Sequence, residues 1–202
     1  MSMSFSNRIK KEMTEAIVRA LLEDAGYRVI DSGIEKVLRE LSCLSSIEYA
    51  KLGYPEVMSR LPDFTVMDRE QTVKYLVEVK YRTEWSDSLF DEVKEQVRLF
   101  GEVVLVSVNA KAADPNNYKS PSRFIRCCAL RFRGEAYEFQ HKKKIGESYQ
   151  TVWASVDEIT NPESWLWWAM LPLHEKFPLM KEAENRETLL QAVKALAGIL
   201  DS

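Results

Sequence analysis

Residues 103–108 read Val-Val-Leu-Val-Ser-Val, and this short apolar run most limits how the chain can fold. Side chains on a strand alternate between two faces, so a run that is apolar at successive positions suits a strand covered on both. Helices are needed on each side of it, which points to a layered α/β arrangement.

The neighbouring segments can supply those layers. Ser6 or Asn7 caps a helix running to about Ala25, with Ile17, Val18, Leu21, Leu22 and Ala25 as its apolar stripe and Gly26 at its end. Residues 27–31 read as a short strand and residues 33–60 as helical pieces, clearest over 34–41. Phe64–Met67 and Thr72–Tyr81 are β-rich and joined by the polar turn 68–71, so a hairpin is expected. Ser86 or Asp87 caps a helix to about Phe100, which Gly101 closes ahead of the apolar strand. The order helix, three strands, helix, strand predicts an α/β sandwich with a central mixed sheet.

Farther on, 124–132 and 136–140 are predicted strands. Asn161 caps a Trp-rich helix with Pro162 in its first turn, and Leu189, Leu190, Val193, Leu196 and Leu200 mark a last amphipathic helix. A chain of 202 residues suits one core, so 1–110 is read as that core and 111–202 as an extension of the same domain.

A net charge of −3 excludes a chain that is basic throughout, so any nucleic-acid contact has to use a local patch. Cys43, Cys127 and Cys128 are odd in number and show no C-x-x-C spacing, which fits a reducing, cytoplasmic setting. With only His141 and His174 beside them, a Cys/His zinc site lacks ligands, and any metal should be a hard ion held by oxygen. The N-terminus has no apolar core of a secretion signal. The strongest apolar run, 165–173, is far short of the about 20 residues that span a bilayer, so a soluble protein with no membrane partner is expected.

Against that background Asp63, Glu78 and Lys80 stand out as charges within strands that should be half-buried. Glu78 and Lys80 lie on the same side of their strand, and the hairpin brings Asp63 alongside. Two carboxylates, the backbone carbonyl of Val79 and several waters make a suitable shell for Mg²⁺, with Mn²⁺ as a substitute. Such an ion would activate water for phosphodiester hydrolysis, with Lys80 orienting that water or neutralising the phosphate. The bland alternative is a structural salt-bridge cluster.

Pro62-Asp63 followed by Glu78-Val79-Lys80 resembles the signature of the PD-(D/E)xK nucleases, the restriction-endonuclease-like superfamily. The resemblance covers about residues 8–108 and implies a three-layer sandwich, DNA cleavage and Mg²⁺. It also implies a glutamate on the first helix, in a form similar to that of Holliday-junction resolvases. Glu15 extends the stripe of Val18 and Leu22 and is the better candidate ligand, whereas Glu12 shares a solvated face with Arg19 and Glu23. The resemblance likewise implies a supporting glutamine on the helix after the signature, carried here by Gln96 in line with Leu89, Val93 and Phe100. Glu15 as an ordinary helix residue and Gln96 as a core amide are the alternatives.

Residues 111–150 carry a local excess of positive charge. Arg82, Lys119, Arg123, Arg131, Arg133, Lys142, Lys143 and Lys144 are candidates to neutralise DNA phosphates, with RNA left open as a substrate, and Tyr118, Tyr137 or Phe139 to stack on bases. A lysine-protected edge strand is the competing reading. Trp165, Trp167 and Trp168 are expected against the protein's own core or a homodimer partner. The alternative to a nuclease is a member of the same fold that binds nucleic acid or a partner without cutting.

Overall fold

The computed structural model describes residues 5–37, 44, 46–81, 87–108, 124–159, 170–181 and 184–200. Helix α1, Phe5–Asp24, ends at Gly26, whose φ of 96° is a left-handed conformation that glycine adopts without penalty. Strand β1, Arg28–Asp31, follows. Short helices α2 (Ile34–Val37), α3 (Ser46–Lys51) and α4 (Glu56–Ser59) then fill the segment expected to be helical in pieces. The clearest of those pieces is helical over Ile34–Val37, and its continuation lies outside the described residues.

Strands β2 (Phe64–Met67) and β3 (Lys74–Tyr81) form the expected hairpin, with Phe64 opposite Val77 and Thr65 opposite Leu76. Helix α5, Asp87–Phe100, leads to β4, Glu102–Val108, which pairs parallel to β3. All other pairings are antiparallel, so the sheet is mixed.

Beyond position 110 the chain continues the same sheet. Strand β5, Ile125–Arg133, lies along the whole of β4. The strand expected to stop at Gln140 runs on as β6, Ala136–Ile145, and turns at Gly146 into β7, Ser148–Ser155, which was not anticipated. Its β-forming residues Tyr149, Thr151, Val152 and Trp153 after Gly146 were the signal for a hairpin. Strand β8, Leu171–Pro172, pairs with Arg126 and Cys127 of β5. A 3-10 turn at Val156–Glu158 and helices α6 (Leu173–Lys176) and α7 (Arg186–Leu200) complete the described elements. The Trp-rich helix expected at Asn161 falls outside the described residues, as does Cys43.

Both faces of the central strands are covered. On one, Val18, Leu21 and Leu22 of α1 and Val193 and Leu196 of α7 pack with Val77, Val79, Val104, Val106 and Val108. On the other, Leu89, Val93 and Val97 of α5 pack with Val103, Leu105, Cys128 and Leu130. Each fully buried aliphatic side chain contributes about 1.5–3 kcal/mol, so this double cover is what anchors the middle of the sheet. Among the described residues no helix is long and apolar enough to cross a membrane.

Candidate functional site

The alternation along β3 separates its side chains by chemistry. Val77 and Val79 enter the core beneath α1, whereas Glu78 and Lys80 project towards α5. Asp63 lies one residue before the Phe64–Val77 pair, which brings it level with Glu78. The Val79 N–H donates to Asp63 Oδ2 at 2.8 Å, so the adjoining strand fixes the carboxylate. The N–H groups of Ser32 and Gly33 donate to the Asp63 carbonyl at 3.0 and 3.4 Å and tie this position to the end of β1.

Glu78 is 8 % exposed and is held from two sides. Lys80 Nζ is 2.8 Å from its Oε1, and Gln96 Nε2 donates to its Oε2 at 2.9 Å. The helical spacing that put Gln96 on the apolar face of α5 thus delivers its amide to a carboxylate. Gln96 Oε1 is buried and has no donor.

Glu15 is 3 % exposed, while Glu12 is on the solvent side of α1, as the stripe of the helix required. The Glu15 carboxylate lies 3.7 Å from Lys11 and 3.4 Å from Lys36. Its Oε1 nevertheless receives no hydrogen bond. Glu15 still acts on the strand carboxylates through space. The Asp63 carboxyl is pushed up to about 8, first by burial, then by the negative charges of Glu78 and Glu15, against the opposing Val79 N–H.

Among the described residues, no three His, Cys, Asp or Glu side chains form a group able to hold a metal ion by themselves. The donor set that does fit a hard cation is smaller. Asp63 and Glu78 offer carboxylate oxygens from adjoining strands, and their mutual repulsion is the kind that a bound cation relieves. Mg²⁺ commonly takes one or two carboxylates and keeps water for the rest of its shell.

Three residues at the site were missed by sequence reading. Glu92 lies 3.8 Å from Lys80 Nζ, and its position one helical turn before Gln96 was a usable signal. Lys11 was legible in the same way, four residues before Glu15. Lys36 reaches Glu15 from α2, and no local pattern announces that contact.

The basic positions part company. Arg82, Lys119, Arg123 and Tyr118 fall outside the described residues, and so do Trp165, Trp167 and Trp168. Arg131 is engaged internally, paired with Glu138 and stacked 3.9 Å from the Trp153 ring centroid. Lys142 pairs with Glu175 of α6, while Arg133, Lys143 and Lys144 are exposed. Phe139 is not available for stacking on bases as expected, whereas Tyr137 is half-buried. Phe139 is buried in the core and Tyr137 packs edge-on against Phe90, because both side chains fall on the face of the sheet that α5 covers.

Fold and site together define an α/β protein with a mixed sheet and a partly buried carboxylate, lysine and amide cluster at the junction of its parallel and antiparallel strands. Its sequence is similar to a Cupriavidus metallidurans protein described as a nucleotide-binding protein, with 33 % identity over 110 residues. That match takes in 51 % of this chain and 36 % of the relative, so the chain spans about a third of the length of the curated relative it matches. No family model and no solved structure matches the chain.

Proposed function

We propose that the protein is a Mg²⁺-dependent nuclease of the PD-(D/E)xK type that hydrolyses DNA phosphodiester bonds. The observation that carries this reading is the convergence of Asp63, Glu78 and Lys80 across the β2–β3 hairpin, with Gln96 donating to Glu78. The surrounding order, an antiparallel hairpin, a crossover helix and a parallel strand, supports it as the setting that the resemblance implies.

Asp63 and Glu78 would hold the ion together with the Val79 carbonyl, and Glu15 would approach from α1. When bound, Mg²⁺ supplies an acidified water and neutralises charge on the phosphate. The chain's own groups do the rest. The Val79 N–H and the Gln96 amide keep the two carboxylates aimed, so neither has to reorganise during the reaction. Lys80 Nζ, 2.8 Å from Glu78 Oε1, would orient the attacking water or neutralise charge on the phosphate.

A second reading is a module that binds nucleic acid or nucleotides without cutting. It is favoured by the description of the relative.

Incubation with labelled linear, nicked, single-stranded and four-way-junction DNA, and with RNA, decides between them when run with Mg²⁺, Mn²⁺ and EDTA. The nuclease cuts DNA only with a metal, and Asp63→Ala, Glu78→Ala and Lys80→Ala each abolish cutting while circular dichroism shows the fold intact. Binding without cutting under every metal condition would establish the second reading instead.

A further inference from the structure

Strand β6 leaves the body of the sheet partway along its length. Its pairing with β5 covers only Ala136–Phe139, opposite Leu130–Arg133, and the next stretch of the β5 edge is taken by β8 at Arg126 and Cys127. From Gln140 onward β6 pairs with β7 alone, through Lys142 opposite Thr151, Lys143 opposite Gln150, Lys144 opposite Tyr149 and Ile145 opposite Ser148. Residues 142–151 are all exposed. The stretch is a two-stranded ribbon with both faces in solvent.

Its composition does not suit an inert edge. Three consecutive lysines face a single acid, Glu147 in the turn, on a chain whose net charge is −3. Tyr149 is 68 % exposed and Ile145 47 % exposed, large apolar surfaces set among those lysines. Cross-strand partners share a face, so Lys144 and Tyr149 stand side by side. At the base, the ion pair of Lys142 with Glu175 ties the ribbon to α6 and gives it a direction.

That direction follows from register. Lys80 is level with Ser107, Ser107 with Arg126, and β6 runs antiparallel to β5 from Arg133 towards Arg126. The ribbon therefore advances towards the end of the sheet that carries Glu78 and Lys80.

We propose that this ribbon is the arm by which the protein grips duplex DNA, with Lys143 and Lys144 on phosphates and Tyr149 against sugars and base edges. A two-stranded ribbon fits the major groove, and lysines beside an exposed aromatic ring match the charge and the apolar surface found there. The inference rests on the nuclease reading for its choice of partner, and it can stand or fall separately.

The test measures duplex binding in EDTA across a salt series, and cleavage with Mg²⁺, for the full chain, for Lys143→Gln/Lys144→Gln and for Tyr149→Ala. The double variant should flatten the log–log salt slope by about two, and Tyr149→Ala should weaken binding roughly tenfold at an unchanged slope. Both variants should melt at the temperature of the unaltered protein, since these side chains are exposed. A protein that binds and cuts but whose slope is unmoved by the double variant overturns the arm and leaves the nuclease standing. Binding that depends on the ribbon without any cutting supports the arm and removes the nuclease. Absence of duplex binding by the unaltered protein overturns the arm outright.

Discussion

Glu12 and Glu15 lie within one turn of α1 and differ only in the direction each side chain takes. Glu15 is buried between Lys11 and Lys36 and raises the Asp63 carboxyl through space, while Glu12 is solvated. Replacing either by glutamine removes one charge at little cost in helix propensity, so the pair forms its own control. Glu15→Gln should weaken Mg²⁺ affinity and slow cleavage by about 10- to 100-fold, the loss expected when a group supporting a metal site is removed. Glu12→Gln should alter neither quantity. Equal activity of the two variants across a Mg²⁺ titration would remove Glu15 from the site. Lys36 adds a second side to that comparison, because without Glu15 its ammonium loses a partner 3.4 Å away.

At the scale of elements, β4 holds the cluster in place. Glu78 is level with Leu105 and Lys80 with Ser107, so the depth of β4 in the core sets the height of β3. Leu105 is fully buried beneath α5, whereas Leu99 of α5 is 43 % exposed. Leu105→Ala should therefore lower unfolding free energy by about 2–5 kcal/mol, and Leu99→Ala by no more than about 0.5 kcal/mol. Urea denaturation measures both. Similar losses from the two would contradict the placement of α5 over β4. The expected covering of residues 103–108 on both faces is met by α1 and α7 on one side and α5 on the other, which is why so short a run restricts the architecture so strongly.

For the molecule as a whole, the carboxylate cluster costs stability that the neutral form of Asp63 would not. Asp63 has its carboxyl raised from 3.8 to about 8 in the folded protein, so folding favours its protonated form. The stability this contributes is complete below the unfolded value of about 4 and is lost as pH rises through the folded value. The metal-free protein should therefore melt at progressively lower temperature between about pH 4 and pH 8, apart from its other titrating groups. Asp63→Asn, which mimics the protonated state, should flatten that decline and raise the melting temperature at pH 8. Mg²⁺ should raise it in the unaltered protein and do little for the variant, since a ligand that binds only the folded state stabilises it by mass action. Thermal melts over this pH range, with Mg²⁺ and with EDTA, supply the comparison. Parallel curves for the two proteins would show that Asp63 is not under the strain inferred.

Short-range pattern was enough to determine the first half of the described sheet. Alternation in β3 put Glu78 and Lys80 on one side, glycine after α1 and α5 ended those helices, and the polar turn between β2 and β3 brought Asp63 to Glu78. Such features depend on neighbours within a few residues, where periodicity and backbone preference act directly. Tertiary structure alone decided which partners the cluster acquired and where the later strands went. Lys36 meets Glu15 from another helix, and β8 takes the β5 edge that β6 leaves, so that the lysine run stands on a ribbon, a setting that neither the phosphate-binding reading nor the edge-strand reading of the sequence had specified. The run from Lys142 to Lys144 reads the same on an edge strand as on a projecting arm, because what distinguishes them is the strand next to it, contributed from some thirty residues away. Contacts of that kind are settled by packing and chain closure, which leave no mark on local periodicity.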